Sequence, residues 1–311
     1  MRVVIALGGN AMTAPDGSAR PDDQRAAIER AMAPVAAVVA AGHEVLLTHG
    51  NGPQVGNLLV KNELAAAVVP PVPLDWCGAQ TQGTIGVLIM NALARQGVTR
   101  VATLVSRTLV DAADAGFDAP TKPIGRYLPA AEAALMIQHG QVWQDRGARG
   151  WRRIVASPEP LACVDAPAAA ALLGAGYVVT CAGGGGVPVA DDGAGGYRGV
   201  EAVIDKDLTA ALLATTLGAD VLVIATDVEA AMLGWGTPGQ RAVGVVEVGE
   251  LRGHAAAGAF AGGSMGPKVE AACRFAEGAP SPDGFAAITS LDRIADAVAR
   301  ASGTIVSRSK E

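Results

Sequence analysis

The stretch DKDLTAALLATTLGADVLVIAT, residues 205–226, decides how the rest of the chain is interpreted. Its first part predicts a helix over residues 206–217, and the apolar run that follows predicts a strand over residues 220–225. A strand with apolar residues at successive positions is typical of a parallel sheet that is covered on both faces. The stretch therefore predicts one helix–strand unit of a layered α/β protein, with Lys206 between two aspartates where the helix begins.

The same alternation of short apolar runs and longer helical patterns continues along the 311-residue chain in both directions. Further strands are predicted over residues 2–7, 44–48, 100–106, 153–155, 177–181, 284–289 and 304–306. Further helices are predicted over residues 22–41, 53–67, 78–96, 166–173, 264–276 and 291–301. Strands and helices that alternate in this way predict an α/β fold with a mostly parallel sheet covered on both faces.

Residues 111–150 depart from this alternation. The segment opens with DAADAGFDAPTKPIGRYL and runs on into QVWQDRGARGWRR, where prolines and charged residues take the place of sheet signals. An insertion of this length in a compact domain usually forms a lid or an excursion over a site. We therefore expect a single domain, residues 1–311, with residues 111–150 as a lid-like subdomain.

Composition and charge narrow the class of partner. The chain has 30 acidic and 24 basic residues and a net charge of −6, whereas a nucleic-acid partner calls for a basic face. No stretch approaches the roughly 20 apolar residues of a membrane helix, and Gly8 and Gly9 end the first apolar run too early for a signal peptide. The four cysteines form no Cys-x-x-Cys pair, so neither a disulfide framework nor a zinc site is indicated. We expect a cytoplasmic protein that acts on small molecules, without a nucleic-acid or membrane partner.

Four glycine-rich loops follow predicted strands or open predicted helices. They are LGGNA (7–11), THGNGPQVG (48–56), AGGGGVPV (182–189) and GGSMGPKVEAA (262–272). Glycine lets backbone N–H groups approach an anion closely, and a helix N-terminus adds partial positive charge. GNGPQVG misses the dinucleotide spacing G-x-G-x-x-G, and GGSMGPK lacks the Ser or Thr that follows the lysine of a P-loop. One such loop alone is compatible with an ordinary tight connection, but the four together indicate bound phosphates or carboxylates.

Three of the five lysines accompany these features. Lys206 stands beside Asp205 and Asp207 at a helix start, Lys268 follows the last glycine loop, and Lys122 lies in the insertion. Phosphoryl transfer between two anions needs cations that offset their repulsion and stabilise charge on the transferred group. An ordinary surface ion pair is the alternative explanation for Lys206. The set of three favours a phosphoryl-transfer site.

With these motifs together, the sequence resembles the carbamate kinases of the amino acid kinase superfamily. The resemblance extends over nearly the whole chain and is carried, in order, by ALGGNA, THGNGPQVG, PTKPIG, GWRRIVASPEP, GGGGVPV, VEAVIDKDLTAALLA, ATDV and GGSMGPKVEAA. It implies a three-layer αβα sandwich with a central sheet of about eight strands, a small protruding subdomain and a homodimer. It also implies that the N-terminal half binds carbamate and that residues from about 200 to 311 bind the nucleotide.

The resemblance implies roles for individual residues. The carbamate and phosphoryl pocket would be formed by Gly8, Gly9, Asn10, Gly50, Asn51 and Gly52. Lys206 and Lys268 would be the catalytic cations, Asp207 would orient them, and Lys122 would help to close the site from the subdomain. The nucleotide would be bound by Thr226, Asp227, Met265, Gly266 and Lys268. No metal ligand is assigned among the side chains.

The activity implied is reversible, Mg²⁺-dependent phosphoryl transfer between ATP and carbamate, in this family often run toward ATP synthesis in arginine catabolism. Related acylphosphate-forming kinases carry lysine in the first glycine loop, where this chain has Asn10, and Lys206 would take over that charge. Carbamate already presents an anionic oxygen, so direct in-line transfer needs no general base and no phosphoenzyme. The only cofactor expected is Mg²⁺ with ATP or ADP.

Other functions stay open at this point. A related kinase of the same fold could act on another small carboxylate or on a phosphate acceptor. A nucleotide-binding regulator without turnover is a second alternative, which Lys122, Lys206, Asp207 and Lys268 disfavour. An NAD-dependent oxidoreductase is a third and more distant one, because no loop matches the dinucleotide fingerprint.

Overall fold

The computed structural model describes residues 1–13, 20–65, 68–138, 140–260 and 264–308, without the side chains of Asn10, Ala11 and Leu135. The strands of these residues are β1 (Arg2–Leu7), β2 (Glu44–His49), β3 (Val101–Thr103), β4 (Arg107–Leu109), β5 (Lys122–Leu128), β6 (Trp143–Asp145), β7 (Trp151–Val155), β8 (Ala162–Cys163), β9 (Val178–Thr180), β10 (Val187–Asp191), β11 (Tyr197–Gly199), β12 (Val221–Thr226), β13 (Met232–Leu233), β14 (Arg241–Ala242), β15 (Val245–Glu247), β16 (Phe285–Ser290) and β17 (Thr304–Ser307). The α-helices are α1 (Pro21–Ala40), α2 (Gly52–Ala65), α3 (Leu74–Arg95), α4 (Ala115–Asp118), α5 (Ala130–Gln138), α6 (Ala166–Gly174), α7 (Lys206–Thr216), α8 (Val248–Ala256), α9 (Met265–Gly278) and α10 (Ile294–Val298). Single 3₁₀ turns span Gly9–Met12, Gly147–Arg149, Gly183–Gly185 and Leu291–Arg293.

Eight strands form the central sheet, in the order β15-β17-β16-β12-β1-β2-β9-β3. The six strands from β16 to β3 are parallel to one another, whereas β17 pairs with β16 in the antiparallel direction. The predicted α/β class with a mostly parallel sheet of about eight strands is therefore confirmed. β1 lies in the middle of the sheet, between β12 and β2, so the loops after these three strands meet at one edge.

Both faces of the sheet are buried, which explains the continuous apolar strands. In β12, Leu222 and Ile224 join a core with α6, α7, α8 and α9. Val221 and Val223 point to the other side and join a core with α1, α3 and α10. Because successive side chains of a strand point to opposite faces, a sheet covered by two helical layers needs apolar residues at every position.

Residues 111–150 contain sheet structure that the sequence did not predict. β5 and β6 lie in this segment and flank β7 in a separate three-stranded antiparallel sheet. The strand predicted at residues 153–155 is thus real, but it belongs to this small sheet and not to the central one. β5 mixes exposed and partly buried side chains, and two of the three residues of β6 are exposed, so these two strands lack the apolar runs by which the central strands were recognised.

The other differences concern short or interrupted elements. The strand predicted over residues 100–106 is only β3, and the helix predicted over residues 291–301 is a 3₁₀ turn followed by α10. Helix α8 was not predicted; it buries only Val248 and Leu251 and therefore shows little apolar periodicity. None of the helices in the described ranges is long and apolar enough to cross a membrane.

Candidate active site

A cavity of about 630 Å³ lies at the carboxyl edge of the parallel strands. The loops after β1, β2 and β12, the start of α7 and the start of α9 all contribute to its walls. This is where open parallel sheets place their binding sites, because helix N-termini and loop backbone groups converge there.

The N-terminus of α7 is held by its own acidic residue. The side chain of Asp205 caps the helix and accepts hydrogen bonds from the backbone N–H groups of Asp207 at 2.9 Å and Leu208 at 3.4 Å. A cap of this kind satisfies N–H groups that the helix itself leaves unpaired. It also fixes the position of Lys206 and Asp207, which begin the helix and line the cavity.

Asp207 connects the two lysines that the sequence singled out. Its Oδ1 lies 2.5 Å from Lys206 Nζ, and its Oδ2 lies 3.1 Å from Lys268 Nζ on α9. Asp207 is only 3% exposed, and Lys268 is buried as well. A buried carboxylate of this kind is favourable only when its charge and its lone pairs are satisfied, as they are here.

The electrostatics of this group favour a bound anion. Burial opposes ionisation of Asp207, but Lys206 and Lys268 outweigh burial and hold its pKa below the ordinary value. Burial lowers the pKa of Lys206. The charge of Lys268 lowers this pKa further, whereas the charge of Asp207 acts in the opposite direction. Because two ammonium groups share one carboxylate, the cluster of Lys206, Asp207 and Lys268 carries a net positive charge. A bound phosphate would stabilise this cluster.

Lys122 brings the small sheet to the same cavity. It opens β5, and its Nζ lies 3.3 Å from Asp205 Oδ2. The Lys122 side chain is 35% exposed, so this ion pair contributes little stability by itself. The ion pair instead places a cation of the small sheet opposite the start of α7.

The two glycine loops after β1 and β2 approach each other closely. Gly8 N–H donates to Ala225 O at 2.9 Å and Gly50 N–H donates to Leu7 O at 3.0 Å, so each loop continues the hydrogen bonding of the sheet. A methyl group at Gly50 would lie 2.9 Å from the backbone of Gly9, which requires glycine there. The backbone of both loops therefore lines the cavity directly.

Asn51 is positioned by two neighbours. Its Nδ2 donates to Thr81 Oγ1 at 2.9 Å, and Thr81 in turn donates to Gly78 O at 2.7 Å. On its other side lies Gly184, which has a φ of +68° and would place a methyl group 2.2 Å from the Asn51 amide. The third glycine loop, around Gly184, thus packs against Asn51.

The proposed nucleotide residues fall into two groups. Thr226 and Asp227 line the cavity, and Thr226 Oγ1 donates to Asp227 Oδ1 at 2.9 Å. Met265 is not among the lining residues and packs instead against the core beneath α9. Gly266 does not line the cavity either, whereas Pro267 and Ser264 do. Asn10 lies in a 3₁₀ turn, but its side chain is outside the described part of the structure.

A buried histidine lies directly beneath the Gly50 loop and was given no role from the sequence. His49 is fully buried, its Nδ1 lies 3.0 Å from Gly50 O, and its Nε2 has no hydrogen-bond partner among the described residues. Burial lowers the pKa of His49 to about 4. The hydrogen bond with Gly50 acts to raise this pKa, and the charge of Lys206 acts to lower it. His49 is therefore a neutral, structural residue at neutral pH and does not line the cavity.

Two contributors to the site were not among the predicted residues. Asp205 caps α7 and pairs with Lys122, and its signal in the sequence was an acidic residue immediately before a predicted helix. Gly184 supports Asn51, and its signal was the run of four glycines, which gave no indication of the partner.

No group of three or more His, Cys, Asp and Glu side chains in the described ranges could hold a metal ion by itself. Magnesium bound with a nucleotide usually keeps several waters and is held by one or two carboxylates together with phosphate oxygens. Asp205 and Asp227 line the cavity and supply carboxylate oxygens of that kind. The donor set therefore fits an ion that arrives on the nucleotide phosphates.

Comparison with known proteins identifies the family. Residues 1–282 match the model of the amino acid kinase family. The chain is 42% identical over 318 residues to carbamate kinase of Thermococcus kodakarensis and 41% identical over 315 residues to that of Latilactobacillus sakei, covering 99% of each chain in both cases. Carbamate kinase from Giardia lamblia bound to AMP-PNP superposes with a TM-score of 0.93, at 38% identity, over 99% of this chain and 98% of that one. The chain therefore belongs to the amino acid kinase family and, within it, to the carbamate kinase enzymes.

Proposed function

We propose that the protein catalyses reversible transfer of the γ-phosphoryl group of ATP to carbamate, which gives ADP and carbamoyl phosphate. The observation that carries the proposal is the convergence of Lys122, Lys206 and Lys268 on one cavity, with Asp207 between two of them. The names of the full-length relatives support carbamate as the acceptor.

Each group of residues has a part in the reaction. The loops of Gly8, Gly9, Asn10, Gly50, Asn51 and Gly52 bind carbamate and the phosphoryl group in flight. Thr226 and Asp227, with Ser264, Pro267 and Lys268 at the start of α9, form the nucleotide side. On the acceptor side, Asn51 is held by Thr81 and Gly184, so its amide is oriented before the substrate arrives.

The cations act on the transition state. Charge develops on the equatorial oxygens of the phosphoryl group as it passes between the two substrates. Lys206 and Lys268 stabilise this charge, and Asp207 holds both ammonium groups in place so that little reorganisation is needed during the reaction. Lys122 adds a third cation from the small sheet, which we propose acts as a lid. Mg²⁺, when bound with the nucleotide, neutralises charge on the phosphates.

The acceptor needs no proton-transfer group from the protein. The carbamate oxygen is already an anion and attacks phosphorus in line with the departing ADP, so the reaction is a direct transfer without a phosphoenzyme. From the family resemblance we also propose that the reaction depends on Mg²⁺, that it runs toward ATP synthesis in arginine catabolism and that the protein is a homodimer.

The test is ATP formation by the purified protein from ADP, Mg²⁺ and carbamoyl phosphate, with acetyl phosphate and other acyl phosphates as competing donors. We expect rapid ATP formation from carbamoyl phosphate and a much lower kcat/KM with the others. Preference for another acyl phosphate would identify a related kinase of the same fold. Nucleotide binding without any turnover would identify a regulator and contradict the proposal.

A further inference from the structure

A second cavity, of about 420 Å³, adjoins the candidate active site. It lies between the start of α2, strand β5 of the small sheet and the glycine loop around Gly184. Both cavities are lined by Asn51, Gly52, Lys122 and Gly184, so the two spaces share a wall at the acceptor loops. Thr226, Asp227 and Lys268, by contrast, line only the first cavity.

The second cavity is cationic. Lys122 and Arg152 are its only charged lining residues among those described, and no acidic side chain lines it. The other walls are glycine, proline and aliphatic side chains, with Asn51 as the one uncharged polar side chain. Helix α2, which has 14 residues, also begins here and adds the partial positive charge of its N-terminus. A cavity with two cations and apolar walls favours a small anion.

Arg152 is held in a defined position. Its guanidinium carbon lies 5.1 Å from the centre of the Tyr127 ring, across the β5–β7 pair. No carboxylate of the described residues lies within ion-pair distance of Arg152, whereas the adjacent Arg153 pairs with Glu201 at 2.8 Å. Arg152 Nε is buried and has no hydrogen-bond partner there. Arg152 is therefore a partly buried cation whose charge no carboxylate of the described ranges offsets.

We propose that the second cavity is an anion subsite for the acyl-phosphate substrate and that Arg152 is its recognition residue. This inference rests on the proposed function. In-line transfer requires the acceptor and ADP on opposite sides of the phosphoryl group. Since Thr226 and Asp227 mark the nucleotide side, the acyl phosphate approaches from the side of Asn51 and Gly52, where the second cavity opens.

Arginine suits this role because its planar guanidinium presents several N–H donors to phosphate or carboxylate oxygens. Stacking on Tyr127 fixes the plane of the group and lowers the conformational cost of binding. Lys122 lines both cavities, so its ammonium group can contact the anion in the subsite as well as at the reaction centre.

The test compares the wild type with Arg152→Met, Arg152→Lys and Arg149→Met. Arg149 is the matched control because its guanidinium, like that of Arg152, lowers the pKa of Tyr127, but Arg149 does not line the cavity. In steady-state ATP synthesis, we expect Arg152→Met to raise KM for carbamoyl phosphate about tenfold, as expected for loss of one charge-assisted hydrogen bond. KM for ADP and kcat should stay within about twofold. Arg152→Lys should restore part of the loss, and Arg149→Met should resemble the wild type.

A binding measurement separates this inference from the proposed function. Phosphonoacetamide, a stable analogue of carbamoyl phosphate, is titrated calorimetrically into the ADP-saturated protein. About tenfold weaker binding by Arg152→Met than by the wild type supports the subsite even if no acyl phosphate is turned over. Equal affinities in the two proteins, or no binding by the wild type, would overturn the subsite. If the wild type turns over carbamoyl phosphate and Arg152→Met has unchanged KM, the inference fails while the proposed function stands.

Discussion

Lys268 Nζ lies 3.1 Å from Asp207 Oδ2, although 61 residues separate the two along the chain. The contact joins the start of α9 to the start of α7, and the packing of these helices against the same face of the sheet makes it possible. Asp207 gives its other oxygen to Lys206, so one carboxylate sets the positions of two cations.

Replacing Asp207 by Asn should lower both stability and activity. The change leaves the buried Lys268 and the partly buried Lys206 without their counter-charge, and removal of one partner of a buried ion pair typically costs about 3–5 kcal/mol. The measurements are urea unfolding and kcat. Because the remaining cations need an anion, sulfate should stabilise Asp207→Asn more than it stabilises the wild type. An unchanged free energy of unfolding with equal sulfate responses would contradict the bridging role.

The pH dependence of kcat/KM should report Lys206. In the proposed mechanism its ammonium form is needed for transfer, so activity should fall as pH rises through its pKa, which lies below the ordinary value of 10.5 because of burial and the charge of Lys268. Removing that charge in Lys268→Met should move the basic limb of the residual activity to higher pH. A limb that stays in place would show that another group controls it.

His49 should make the folded state sensitive to mild acid. Its pKa falls from 6.5 in the unfolded chain to about 4 when buried, so between these pH values the unfolded chain binds the extra proton. The free energy of unfolding should therefore fall by about 3 kcal/mol as pH drops from 6.5 to 4. Thermal unfolding across this range should give a flatter profile for His49→Gln, and the partly buried His43→Gln serves as control. Identical profiles for wild type and His49→Gln would show that protonation of His49 does not cause the loss of stability in acid.

Gly184→Ala should displace Asn51 and weaken binding of the acceptor. Gly184 and Gly193 both have positive φ, +68° and +75°, but an added methyl group meets Asn51 at 2.2 Å in the first case and open space in the second. Gly193→Ala therefore measures the backbone cost alone, about 1 kcal/mol or more of stability. We expect KM for carbamoyl phosphate to rise only in Gly184→Ala. A similar rise of this KM in both variants would contradict the idea that the methyl group acts by displacing Asn51.

The sequence predicted the central architecture because its strands are apolar on both faces. β1 was predicted with its exact ends, and β12 within one residue at each end. Strands β5 and β6 were missed because they include exposed and charged residues and have no continuous apolar run. Local patterns alone therefore recovered the doubly covered sheet better than the small antiparallel one.

The candidate site was predictable to the extent that it depends on loops and lysines. Lys122, Lys206 and Lys268 do converge on one cavity, as the resemblance implied. What could not be predicted are pairings that arise from folding. The packing of Gly184 on Asn51 and the stacking of Arg152 on Tyr127 join segments distant in the sequence or on adjacent strands, and no local pattern specifies such partners.

The most direct measurement of the central claim is kcat for ATP synthesis in Lys206→Ala beside Lys61→Ala. Lys61 is an exposed lysine on α2, so it controls for the loss of one positive charge. We expect Lys206→Ala to lose about a hundredfold or more in kcat, as for removal of a group that stabilises transition-state charge, while Lys61→Ala keeps wild-type turnover. Wild-type kcat in Lys206→Ala, or equal losses in both variants, would contradict catalysis by the lysines that Asp207 holds.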